Sequence, residues 1–300
     1  MKASILFIAS LCAASQLSAQ NRLSILDALS QLYRNYDPDK STAQWDCTVG
    51  QKATPRTEGW PCTSENAEVY VSSVFFAEIG ENGTDMVYLV ASARPANPAG
   101  GYECHACAPA IGIAVFQAQE GNWALRSFNP AVGFYGGWGK PSQVELVWAG
   151  PERRGFMMSN RDLAQGYAWS TKALLLPIER TVAEVWSIQD EEDNTGAIDP
   201  AEKLNPTHKL NPADKLSQQA PYRSSAAFKF YNPGLEDMDA DAYYDIEVIS
   251  RGTDRQDLGH PVQPENWTEI YRFKDGKYRL LSHKDFTEAS GPTPKPKKLP

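Results

Sequence analysis

Five residues in one short stretch of this 300-residue sequence have the types and spacing to hold a hard cation. Asp237, Asp239, Asp241, Tyr243 and Asp245 occupy alternate places of a loop, four carboxylates and, at Tyr243, a backbone carbonyl. Oxygen donors spaced this way suit calcium, which takes roughly six to eight of them in flexible geometry. Like charges packed so closely repel one another unless a cation neutralises them. The competing reading is a solvated acidic turn. The loop is not an EF-hand, because Val248 stands where the bidentate glutamate belongs and strand-like sequence flanks it.

A second group is Glu103-Cys104-His105-Ala106-Cys107-Ala108-Pro109. Covalent haem attachment requires histidine directly after the second cysteine, and Ala108 is there instead. A thioredoxin-type site needs its first cysteine at a helix N-terminus, whereas the sequence after Cys107 reads as a strand. Zinc would require Cys47 and Cys62 to converge on this pair without knuckle spacing. Setting Cys12 aside, the even set Cys47, Cys62, Cys104 and Cys107 is expected to form two disulfides. Three connectivities are possible, and the local pairs Cys47–Cys62 and Cys104–Cys107 are preferred.

Nucleophilic or zinc hydrolysis finds no support. The chain has no Gly-x-Ser-x-Gly elbow, no His-Glu-x-x-His and no phosphate-binding glycine loop, and its four histidines are His105, His208, His260 and His283. A carboxylate pair cleaving an envelope glycan stays open as an alternative, because distances between acids are invisible in a sequence. A structural envelope component is a second alternative. For binding, the candidates are Phe134, Tyr135 and Trp138 beside Gly136 and Gly137, since a glycine-rich loop can present rings to a partner. Trp138 reads equally well as a core indole.

These groups need a framework, and composition indicates which kind. Residues 1–19 carry one lysine, an apolar run and a small-residue finish, the pattern of a secretory signal peptide cut after Ala19. Leu11 before Cys12 argues against a lipoprotein. No later stretch approaches the roughly 18 to 20 apolar residues that span a bilayer, so no transmembrane segment is expected. A formal charge of −8 with scattered Lys and Arg argues against nucleic acid and anionic lipid as partners. The expected setting is periplasmic or secreted, and the expected partner a protein or a cell-envelope component.

Residues 22–36 place Leu23, Leu26, Leu29, Leu32, Tyr33 and Tyr36 on one helical stripe ended by Asp37-Pro38. Residues 68–95 read as two strands turned at Glu81-Asn82-Gly83-Thr84, and residues 110–128 as two more turned at Glu120-Gly121-Asn122. Further strands are expected at 143–150, 154–160, 166–178, 181–188, 224–232 and 243–252, with a last hairpin at 267–282 folded at Asp275-Gly276. The fold class is mainly β: short antiparallel strands, in a sandwich or partial propeller-like sheets, with one N-terminal amphipathic helix. The divisions are a β-rich part at 20–189, an acidic, proline-containing connector at 190–220, a small β part at 221–286 and a disordered tail at 287–300.

Two resemblances follow from these motifs. Asp237, Asp239, Asp241 and Asp245 resemble the calcium loops of FG-GAP and VCBS-type β-propeller repeats, with Ala242 in place of the usual glycine. The resemblance implies a calcium ion stiffening the last sheet. The stretch from Cys104 to Trp123, with Gly136-Gly137-Trp138-Gly139 and Gln165-Gly166-Tyr167, resembles a group of exported bacterial proteins of unassigned function. In outline an exported β protein with such a loop is also similar to periplasmic immunity proteins. These similarities imply an inhibitor- or immunity-type binding protein.

Overall fold

The computed structural model describes residues 22–46, 66–81, 83–96, 107–164, 166–194, 223–231, 243–253 and 266–286. Among the described residues one helix, α1 (Ile25–Leu32), precedes fifteen strands in three antiparallel sheets. Strands β1 (Thr42–Asp46), β2 (Asn66–Glu81), β3 (Thr84–Pro95), β4 (Ala110–Gln119) and β5 (Asn122–Phe134) form the first sheet, paired in chain order. A small hairpin follows, β6 (Gly136–Gly137) and β7 (Lys140–Pro141). The second large sheet also runs in chain order: β8 (Gln143–Gly150), β9 (Arg153–Ala164), β10 (Tyr167–Ile178), β11 (Thr181–Asp193), β12 (Arg223–Tyr231), β13 (Asp245–Gly252), β14 (Trp267–Lys274) and β15 (Lys277–Asp285).

Mainly β architecture with one N-terminal helix is thus what the described residues form. The strands are longer than expected, β2 reaching 16 residues. The turns follow residue chemistry. Glu120-Gly121 and Asp275-Gly276 both have positive φ at each position, the two-residue turn whose twist matches that of the flanking strands.

Three apolar layers hold the sheets. Ala28, Leu29 and Leu32 of α1, with Tyr33 and Trp45, pack on Val87, Leu89, Ala91 and Ala93 of β3. The intervening residues Tyr88 and Val90, with Ile111, Ile113 and Val115 of β4, face Phe156, Met158, Ala173, Leu175 and Val182 of the second sheet. Because successive strand side chains point to opposite faces, β3 and β4 are buried on both, which is why they read as continuous apolar runs rather than as an alternation. Each fully buried Val, Leu, Ile, Phe or Met among them contributes about 1.5–3 kcal/mol on burial. The junction is also stitched by polar bonds: Ser127 Oγ donates to the Glu179 carbonyl at 2.7 Å and Asn129 Nδ2 to that of Val182 at 2.9 Å.

The third layer lies on the far face of the second sheet, where Leu174, Leu176, Val185, Trp186, Ile246, Val248, Phe273 and Tyr278 cluster. Trp186 of β11 touches Tyr271 of β14, ring centroids 6.1 Å apart, across two intervening strands. The sheet is therefore curled, like half a barrel. Residues on either side of 190–220 share this core, and Glu191, Glu192 and Asp193 pair with Ser225, Ser224 and Arg223.

Two details of the helix differ from expectation. It stops at Leu32, where Tyr33 turns extended and its N–H caps Leu29, and Leu26 is exposed rather than part of the buried stripe. Ser24 fixes the start by accepting from Asp27 N–H. The proposed leader at 1–19, the tail at 287–300 and most of the connector lie outside the described residues. Among the described residues no helix is long and apolar enough to cross a membrane.

Candidate functional site

The three ring residues separate on folding. Phe134, at the end of β5, packs on the helix-side core. Tyr135 is half-buried; its hydroxyl donates to Glu184, and burial beside that carboxylate pushes the phenol's pKa well up. Trp138 is 53% exposed, so the core reading of that indole is overturned.

The backbone explains how Trp138 comes to be displayed. β6 and β7 are joined by Trp138-Gly139, with φ of 55° and 70°. A turn with two positive φ values favours Asn, Asp or Gly at its first position, and a bulky side chain there is strained. Gly136 makes the hairpin possible: its φ is 130°, and a Cβ would lie 1.9 Å from the Lys140 carbonyl oxygen. The hairpin is tied at its turn, where Gly139 N–H donates to the Cys107 carbonyl at 2.7 Å, and at its base, where Ser142 N–H donates to that of Tyr135 at 3.1 Å.

Beside this hairpin is a polar cleft of about 460 Å³. Trp138 contributes to its wall, with Ser142, Asn160, Arg161, Ser170 and Lys172. β9 supplies Asn160 and Arg161 because it outruns β8: their pairing ends at Gln143 and Ser159, and residues 160–164 pair with β10 alone. Ser142 Oγ donates to Asn160 Oδ1 at 3.3 Å. Lys172 is held from three sides: Nζ donates to Ser159 Oγ at 2.9 Å, lies 3.8 Å from Asp190 Oδ2, and sits 5.8 Å from the Phe228 ring. Ser170 Oγ donates to the same Asp190. The arrangement offers neutral hydrogen-bonding groups, fixed charge and one exposed indole, a surface for holding a polar ligand.

Sequence reading missed Asn160, Arg161, Ser170 and Lys172. One signal was present. In residues 166–178 one face of the strand changes from polar at Ser170 and Lys172 to apolar at Leu174 and Leu176, so the polar pair continues that face beyond the core.

The acidic loop looks different in space. Asp237, Asp239 and Asp241 lie outside the described residues. The Tyr243 ring packs at a tilt against Phe273, centroids 4.2 Å apart, under the Arg153 guanidinium. Asp245 begins β13, and both its oxygens are held by Arg272 of β14, at 2.9 Å from Nη2 and 3.1 and 3.3 Å from Nε. Its countercharge is thus a guanidinium. Among the described residues no group of three or more histidines, cysteines or acids is placed to hold a metal.

The two-disulfide framework is also corrected: no complete bridge is found among the described residues. Cys47, Cys62 and Cys104 lie outside them, and Cys107 is disulfide-bonded.

A second cavity, about 260 Å³, lies where the two sheets meet. Its charges answer one another: Glu81 pairs with Arg154 and accepts from the Tyr88 hydroxyl at 2.9 Å, and Arg154 lies 3.7 Å over the Trp148 ring. This is a joint between sheets. No family model, curated protein or solved structure matches the chain.

Proposed function

We propose that this chain is an exported binding protein that engages a cell-envelope partner through the cleft beside Trp138. Export is carried by the sequence pattern of residues 1–19. Binding is supported by one observation above others: a large indole is held in solvent on a strained two-residue turn, over a polar cleft. Strain of this sort costs about 1–3 kcal/mol and persists where the surrounding structure over-determines it. Trp45 and Trp186, which serve the core, are buried, and the exposed face of Trp148 is covered by the Arg154 guanidinium.

Sedimentation of the purified chain with washed bacterial envelopes tests the reading. The wild type is expected to co-sediment and Trp138→Ala to stay in the supernatant with an unchanged circular dichroism spectrum. Equal sedimentation of the two would remove the cleft from the function.

A further inference from the structure

Resting on that reading, we infer that the cleft takes an uncharged sugar, one or two residues of a neutral glycan of the envelope. Charge balance is the first ground. Lys140, Arg161 and Lys172 line the cleft together with Asp162. Two of these cations have carboxylates of their own, Arg161 Nη2 lying 3.5 Å from Glu191 and Lys172 Nζ 3.8 Å from Asp190. Lys140, Arg161 and Lys172 are thus matched in number by Asp162, Asp190 and Glu191. A wall answered charge by charge has no net field to draw in an ion, and an ion entering it would compete with pairs already made. An uncharged ligand disturbs none of them.

The hydrogen-bonding groups of the wall indicate which uncharged ligand. Ser142 gives its proton to Asn160 Oδ1, and Ser170 gives its own to Asp190. Each hydroxyl oxygen can therefore still accept, and Asn160 can still donate from its amide. Lys140, Arg161 and Lys172 add donors, and Asp162 adds acceptors. Sugar hydroxyls both donate and accept, so they find a partner of either sense on this wall. The indole of Trp138 supplies a flat apolar body with a polar N–H at its edge, which suits the C–H face of a pyranose ring. The volume, about 460 Å³, falls within the roughly 300–1,000 Å³ of small-ligand clefts. A peptide strand added along residues 160–164 of β9 is the competing occupant. Such a strand needs the backbone groups of that edge, and the Leu163 N–H there already donates to Asp162 Oδ1 at 2.8 Å. The β6–β7 hairpin also stands beside the edge, tied to it through Ser142 and Asn160.

The experiment sediments the full mature chain with washed envelopes that are untreated, protease-digested, or digested and then chemically capped. The caps are acetylation of amines alone, acetylation of amines and hydroxyls, and carbodiimide amidation of carboxyls. Capture is expected to survive protease, amine acetylation and amidation, and to weaken about tenfold or more once hydroxyls are acetylated. It is also expected to be the same at low and high salt, because no net charge is matched. Trp138→Phe is expected to retain more binding than Trp138→Ala; equal loss in the two would overturn the ring's part in holding a sugar. Capture lost on protease treatment, yet still dependent on Trp138, would overturn the glycan in favour of a protein partner and leave the binding reading intact. Capture that survives hydroxyl acetylation would overturn the sugar. Capture weakened by amidation, amine acetylation or salt would overturn its uncharged character. Capture indifferent to Trp138→Ala, or absent altogether, would instead defeat the binding reading itself.

Discussion

The Asp245–Arg272 pair makes a prediction about which partner is costlier to lose. Asp245 has a side chain only 5% exposed, whereas that of Arg272 is 30% exposed. Arg272→Met keeps the packing of the aliphatic stem and strands a carboxylate with no guanidinium. Removing one member of a buried pair costs about 3–5 kcal/mol; water reaching the space Arg272 leaves reduces this to about 2–3 kcal/mol. Asp245→Asn retains an amide oxygen to accept from Nη2, and the guanidinium still touches solvent, so the loss is about 1 kcal/mol. At about 2–4 °C per kcal/mol for a chain of this size, the midpoint should fall by about 4–12 °C in the arginine variant and about 2–4 °C in the asparagine one. Differential scanning calorimetry, repeated in calcium and in chelator, reads both. Equal losses would refute the reasoning. So would a calcium-dependent rise of the wild-type midpoint that Asp245→Asn abolishes, since the carboxylate would then serve an ion and not Arg272.

Further outcomes follow from single positions. Gly136→Ala is expected to disrupt the β6–β7 hairpin and abolish envelope capture while leaving the thermal midpoint nearly unchanged, because the clash with the Lys140 carbonyl is local; a variant that still binds would show that the hairpin is dispensable. Gly112→Ala places a Cβ 2.2 Å from the Tyr33 hydroxyl and 2.9 Å from the Pro130 carbonyl oxygen, and should cost about 1–3 kcal/mol by overpacking, read by urea unfolding. His283 is bonded to Glu269 at 2.9 Å and Asp285 at 3.1 Å, and these bonds raise its pKa above the ordinary 6.5. Its contribution to stability is therefore full below that ordinary value and fades as pH rises through the higher folded-state one. The midpoint difference between wild type and His283→Asn should be present at low pH and vanish on the alkaline side; a difference that grows with pH would reverse the assignment.

Much of this fold was legible where local chemistry decides it. Asp275-Gly276 announces its turn because aspartate and glycine both tolerate positive φ, and Glu120-Gly121 is marked by its glycine between two alternating runs. Trp138-Gly139 makes the same turn without that signature, so its hairpin could not be read from residue types. Asp245 was assigned to a cation loop from its neighbours in sequence, but the neighbour that matters, Arg272, lies across a strand pair and 27 residues away. The cleft was hidden for a related reason. It exists because β9 is longer than β8, and relative strand length is a property of pairing that no single segment displays. Leu26 shows the limit of periodicity: its spacing fits the stripe, yet the helix is rotated to bury Ala28 instead.

In both large sheets every strand is hydrogen-bonded to those that come just before and after it in the chain. Such an order asks for little loop-closure entropy per step, which favours rapid assembly. A chain folding from its N-terminal end would zip up hairpin by hairpin, each new strand finding its template already laid down. The curl that brings β14 back toward β11 would come last, and would act as the latch that makes the finished sheet hard to peel from its C-terminal edge.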